Sequence, residues 1–148
     1  MRKTVRIVTF AACVLALHGA VRAAGVVEAS AQAGAPITAA QAAPFLGEWT
    51  LTLQGPNGPG TFALSVTAEK EKVAADITSE AMPKQPMGTI ALANKSLVLG
   101  YSFTWEGNPV EAVVTLTPAE DGKTTAQIDF AGGAYVMTGT ATKKEQGK

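Results

Sequence analysis

The sequence predicts an all-β protein, an eight-stranded antiparallel up-and-down (meander) barrel. From Phe45 onward apolar side chains recur at every second position, the period of strands with one buried face. The apolar runs are short, and hairpin-length clusters rich in Gly, Pro, Asn and Asp separate them. No helical period is long enough for a crossover or a covering helix, so an open meander would expose two edges that closure removes.

The chain begins with Arg2, Lys3 and Arg6, an apolar run from Ile7 to Leu17, then small residues through Ala24. This is the layout of a secretory signal peptide, with a core far shorter than the roughly 20 residues a membrane-spanning helix needs. Residues 1–23 are read as the signal peptide, cleaved after Ala23, with Ala31 as the alternative; no membrane span is expected after cleavage. Loss of Arg2, Lys3, Arg6 and Arg22 leaves eight positive side chains against twelve acidic ones, about −4 in all. An acidic domain with scattered lysines disfavours nucleic-acid binding. Cys13 and His18, the only residues of their kinds, lie in the removed part, so no disulfide is expected. The Ala-rich signal reads as bacterial, and the expected location is secreted or periplasmic.

Residues 24–44 are read as a flexible Ala-rich lead-in, in which Thr38 to Ala43 makes one helical turn with Thr38 as N-cap. Pro44 is expected to end that turn at the preceding residue. The barrel domain spans 45–143, with a frayed tail at 144–148. In the first strand Trp49, Leu51 and Leu53 face one way and Glu48, Thr50, Thr52 and Gln54 the other. The segment Gly55 to Gly60 is expected to be neither helix nor strand. Phe62, Leu64 and Val66 face inward in the second strand, and Glu69 to Lys72 turns into a third carrying Val73, Ala75 and Ile77. Glu80 to Met87, with Pro83 and Pro86, is read as a loop before a short fourth strand with Ile90 and Leu92.

After Asn94-Lys95-Ser96 comes the longest alternation, with Leu97, Leu99, Tyr101, Phe103 and Trp105 on one face. Gly107-Asn108 is expected to supply the positive φ of a two-residue hairpin. The sixth strand places Ala112, Val114 and Leu116 inward, and the seventh Ala126, Ile128 and Phe130. The turn Ala131-Gly132-Gly133 leads to an eighth strand, Ala134 to Thr142.

At Phe45-Leu46-Gly47-Glu48-Trp49 the chain resembles the lipocalin and avidin superfamily of meander barrels, and small bacterial secreted lipocalin-like domains in particular. There a Gly-x-Trp opens the first strand after a short helical turn. The resemblance implies a closed end built on Gly47 and Trp49, with a basic residue after the last strand stacked on the Trp. Lys143 matches that position in Thr140-Ala141-Thr142-Lys143, as Lys where Arg is usual. The long C-terminal helix of the larger members is missing.

Alternate turns of a meander gather at the same end. The turns at 69–72, 94–96 and 118–123 are compact or charged and share an end with Trp49 and Lys143, the expected closed bottom. The other end carries Gly/Pro-rich loops at 55–60, 80–87, 106–109 and 131–133, where binding groups concentrate. Tyr101, Phe103, Trp105, Met82 and Met87 are the candidate residues of an apolar mouth, since Met beside aromatics makes an adaptable surface. Plain core packing of the same side chains is the competing reading, because an eight-strand barrel has room either for its own side chains or for one small ligand.

Without His or Cys in the mature chain, no Ser/His/Asp or Cys/His nucleophile system assembles, and zinc loses its usual ligands. Glu48, Asp76, Glu111 and Asp129 fall on the polar phase of their strands, and Glu106 alone gives no acid/base pair. No phosphate cradle or calcium loop occurs. The expectation is therefore a non-enzymatic barrel with no cofactor or metal, binding a small apolar molecule at its open end. The alternative is a filled barrel acting as a protein-interaction or envelope-associated module.

Overall fold

The period-two pattern does become strands, but nine of them rather than eight. The computed structural model describes residues 37–145, so the signal peptide, the lead-in up to residue 36, Cys13, His18 and the last three residues lie outside the described residues. The strands are β1 (Gly47–Gly55), β2 (Gly58–Glu69), β3 (Lys72–Ser79), β4 (Met82–Pro86), β5 (Thr89–Ala93), β6 (Ser96–Trp105), β7 (Asn108–Pro118), β8 (Thr124–Phe130) and β9 (Tyr135–Lys143). All nine lie in one antiparallel sheet, in the order β4-β3-β2-β1-β9-β8-β7-β6-β5.

The first and last strands pair, from Trp49 opposite Lys143 to Gln54 opposite Thr138. Gly139 makes this possible, because a Cβ there would overlap the Thr52 carbonyl oxygen. The ladder does not close around the whole sheet. Its free edges are β4 and β5, which follow one another in the chain. Between them the Met87 N–H donates to the Ala75 carbonyl on β3 (2.9 Å) and the Gly88 N–H to the Gly100 carbonyl on β6 (2.8 Å). The segment Met82 to Ala93 thus crosses the seam, following β3 in the upper half and β6 in the lower. Tyr101 to Trp105 of β6 and the first residues of β3 are left without a strand on the seam side.

The ninth strand, β4, occupies the segment expected to be a loop. Its two prolines are tolerated because it has a strand on one side only, where a missing N–H breaks no ladder. The ladder to β3 is irregular all the same, with a register shift between Ile77 and Ser79. The Gly55 to Gly60 segment is also mostly strand: only Pro56-Asn57 turn, and Pro59 sits opposite Gln54. That proline lies beyond the end of the β3 pairing, which stops at Phe62, so its absent N–H again costs nothing.

Two-residue turns with positive φ, which suit the right-handed twist of the strands, join three of the hairpins. They fall at Lys70-Glu71 (46° and 69°), Asn94-Lys95 (49° and 68°) and Glu106-Gly107 (49° and 83°). The last corrects the expected Gly107-Asn108, since Asn108 already pairs with Trp105.

The inward rows meet in one core containing Trp49, Leu51, Leu53, Leu64, Val66, Ile77, Leu97, Leu99, Val114, Leu116 and Ile128. No charged residue is buried among the described residues. At the lower end a helical turn, α1 (Ala39–Ala42), is capped by Thr38, with the Gln41 side chain completing a capping box. The α-helical turn ends with Ala43 as its C-cap, just before Pro44 as expected, and the chain then continues as a 3-10 turn, Ala43–Phe45. A proline near the start of a new turn replaces an N–H that would have had no partner there. Ala42, Phe45 and Ile37 are buried beneath the strands. No helix among the described residues is long and apolar enough to cross a membrane.

Candidate functional site at the upper end

The upper end carries the turns at Pro56-Asn57, Glu80-Ala81, Glu106-Gly107 and Ala131–Gly133. Of the five expected mouth residues, the structure brings Tyr101 and Phe103 into contact, leaves Met82 on another strand at the same end, and sets Trp105 and Met87 apart. Tyr101 is an interior residue, 5% exposed, and Phe103 stacks on it at 5.9 Å between ring centroids. Met82, opposite Ser79 at the top of β3, is partly buried against the core, as is Phe103.

Trp105 belongs to the expected inward row but is 63% exposed. It is the last residue of β6 and closes the hairpin onto Asn108. Met87 is not at the upper end at all. Its N–H reaches Ala75, and with Ile37, Glu71, Lys72, Val73 and Ile90 it lines a cleft of about 430 Å³ in the lower seam. The loop reading of 80–87 had placed both methionines together, whereas an extended strand carries them to opposite halves of the seam.

Aromatic side chains beyond that set gather at the upper end. Phe103 meets Phe130 edge-on at 6.1 Å, and Phe130 meets Tyr135 at 5.8 Å. Tyr135 was not legible as a site residue, though its place two before the inward Met137 in β9 was available as a signal. The Gly/Pro-rich β1–β2 hairpin is drawn over this group rather than held open. A Cβ on Gly55 would come within 2.9 Å of the Tyr135 hydroxyl and of Met137 Cγ, and one on Gly60 within 2.8 Å of Met137 Cε. Glycine at both positions lets these longer side chains lie against the hairpin backbone.

Beside this group the upper seam forms a second open cleft of about 430 Å³ between β4 and β6, lined by Gln85, Pro86, Thr89, Tyr101, Ser102 and Glu111 among others. Strand N–H and C=O groups alternate sides, so with Gly100 bonded across the seam, Ser102 and Thr104 also direct theirs there. No strand pairs with them. The Tyr101 hydroxyl is buried without a hydrogen-bond partner, and burial pushes its pKa up to about 12, so it stays protonated.

The lower end is finished differently. Gly47, at φ 121°, turns the chain from the 3-10 turn into β1, and a Cβ there would meet Lys143 Cε at 3.0 Å. The Trp49 indole N–H donates to the Phe45 carbonyl at 2.7 Å. Lys143 Nζ lies 5.6 Å from the centroid of the Trp49 ring, within cation–π range.

The strand carboxylates have separate surroundings. Asp76 pairs with Lys84 at 3.0 Å and Asp129 accepts from Gln127 at 2.8 Å. Asp121, in the β7–β8 turn, is held below the usual carboxylate range by hydrogen bonds from the Lys123 side chain and backbone. Among the described residues no group of three or more His, Cys, Asp and Glu side chains converges as a metal would require. Comparison of the chain with models of protein families, with curated proteins and with solved structures finds no match in any of the three, so fold and site geometry alone carry the functional argument.

Proposed function

We propose that this chain is a lipocalin-like, non-enzymatic barrel of the secreted or periplasmic space that binds a small apolar molecule at its upper end. The observation that carries the reading is the contiguous run Tyr101, Phe103, Phe130, Tyr135. Apart from Tyr101 these side chains are only partly buried, at an end with no counterpart, among the described residues, of the helical turn that seals the bottom. Apolar surface left half-covered by its own chain is what a ligand can cover further. Trp105 stands at the rim, so its emission reports on occupancy. Titration of the folded, monomeric protein with 8-anilinonaphthalene-1-sulfonate and with neutral apolar probes should give saturable binding with a Trp emission change that Trp105→Phe removes. Absence of binding by every apolar probe defeats the reading.

A second reading, an interaction module without a small ligand, is favoured by one observation. The upper β6 edge offers unpaired backbone groups at Ser102 and Thr104, and no charge lies between Ser96 and Trp105. An extended peptide could add there as a further strand. Thr104→Pro removes a seam-side N–H without touching the β7 ladder, so loss of a captured partner in that variant, with probe binding unchanged, would favour this reading over the first.

A further inference from the structure

Tyr101 carries the one buried side-chain polar atom without a partner among the described residues. Its ring is fixed by stacking on Phe103, and the residue is 5% exposed. An orphaned hydroxyl in such a place lowers stability, and phenylalanine would fill the same space without that loss. A retained orphan points to a partner the chain itself does not supply.

The surroundings restrict what that partner is. Tyr101 also lines the upper-seam cleft, where no ladder joins β4 to β6. No charged side chain is buried among the described residues, so an anion seated against the Tyr101 ring would have no counter-charge. A phenol that keeps its proton is a donor seeking an acceptor. The connected rings of Phe103, Phe130 and Tyr135 make its surroundings largely apolar.

We infer that Tyr101 donates a hydrogen bond to a neutral apolar ligand bearing an acceptor oxygen, of the ketone, ester or quinone class, seated against the upper seam. The inference rests on the reading of the upper end as an apolar binding site, and sharpens it by excluding anionic lipids as the preferred class.

The test compares nonane, 2-nonanone and nonanoate by displacement of a bound fluorescent probe from wild type and Tyr101→Phe. Replacing Tyr101 by Phe should weaken 2-nonanone about five- to ten-fold, the worth of one buried hydrogen bond, with nonane affinity unchanged, and wild type should hold nonanoate no tighter than nonane. The ligand-free variant should melt a few degrees above wild type. A 2-nonanone affinity that is the same in wild type and Tyr101→Phe overturns the inference while leaving the apolar site standing, as does a nonane affinity that falls in step with it. A variant that melts lower than wild type also overturns it, since the hydroxyl then has a partner already. Failure of all three compounds to bind removes the site and the inference with it.

Discussion

The two ends of the sheet are built from similar residues and finished in opposite ways. At the lower end Ile37, Ala42, Phe45 and Trp49 are all less than a tenth exposed, and the indole N–H finds the Phe45 carbonyl. At the upper end Phe62, Met82, Phe103, Phe130 and Tyr135 stop half-buried, Trp105 stands in solvent, and the Tyr101 hydroxyl has no partner. The difference lies in what the chain brings to each end. The lower one receives a capped helical turn that delivers Phe45 and Ala42 as a plug, whereas among the described residues the upper one has hairpin turns and the short 3-10 turn Ala131–Gly133. Apolar surface that is only partly covered therefore accumulates at one end.

Substitutions can break or sharpen this contrast. The largest effect is expected where the two ends share a wall. Gly139→Ala drives a methyl into the Thr52 carbonyl and should cost about 4 kcal/mol or prevent folding, as read by urea denaturation; near-wild-type stability would mean β1 and β9 are not so closely joined. Next comes a matched pair. Trp49→Ala should cost about 3–5 kcal/mol, whereas Trp105→Ala should stay within about 0.5 kcal/mol of wild type. Equal losses in the two variants would erase the distinction between a plugged and an open end.

A smaller effect depends on pH. Tyr101 ionises near 10 in the unfolded chain and near 12 when folded, so above pH 10 the unfolded state gives up a proton that the folded state keeps. Its contribution is whole below pH 10 and is lost as pH rises to 12, about 2–3 kcal/mol at most. Thermal melts of wild type from pH 9 to 12 should fall more steeply than those of Tyr101→Phe, which also lacks the orphan. The smallest effect belongs to the lower-end turn Lys70-Glu71, where two non-glycine residues hold positive φ. Replacement by Asn-Gly, the preferred pair for such a turn, should add about 1 kcal/mol, measured as an upward shift in urea midpoint with unchanged slope.

Much of the wall was legible because alternation is a local property. Leu64 and Val66, Leu97 and Leu99, Val114 and Leu116, and Ile128 all face inward where the period places them. The seam was not legible. Pro83 and Pro86 argue against a strand in any local window, and only the one-sided position of β4 makes one acceptable there. The candidate site divided in the same way: Tyr101 and Phe103 follow their row inward, but the row ends before Trp105, and the extended course of β4 carries Met87 away from Met82.

The sequence by itself determined the class of structure, the inward face of most strands and the pairing partners joined by tight turns. Each of these depends on residues within a hairpin of one another. Only the tertiary structure decided where the sheet fails to close, which end the helical turn plugs and which hydroxyl is left without a partner. These depend on how far each strand reaches past neighbours distant in the chain, and no local pattern records that distance.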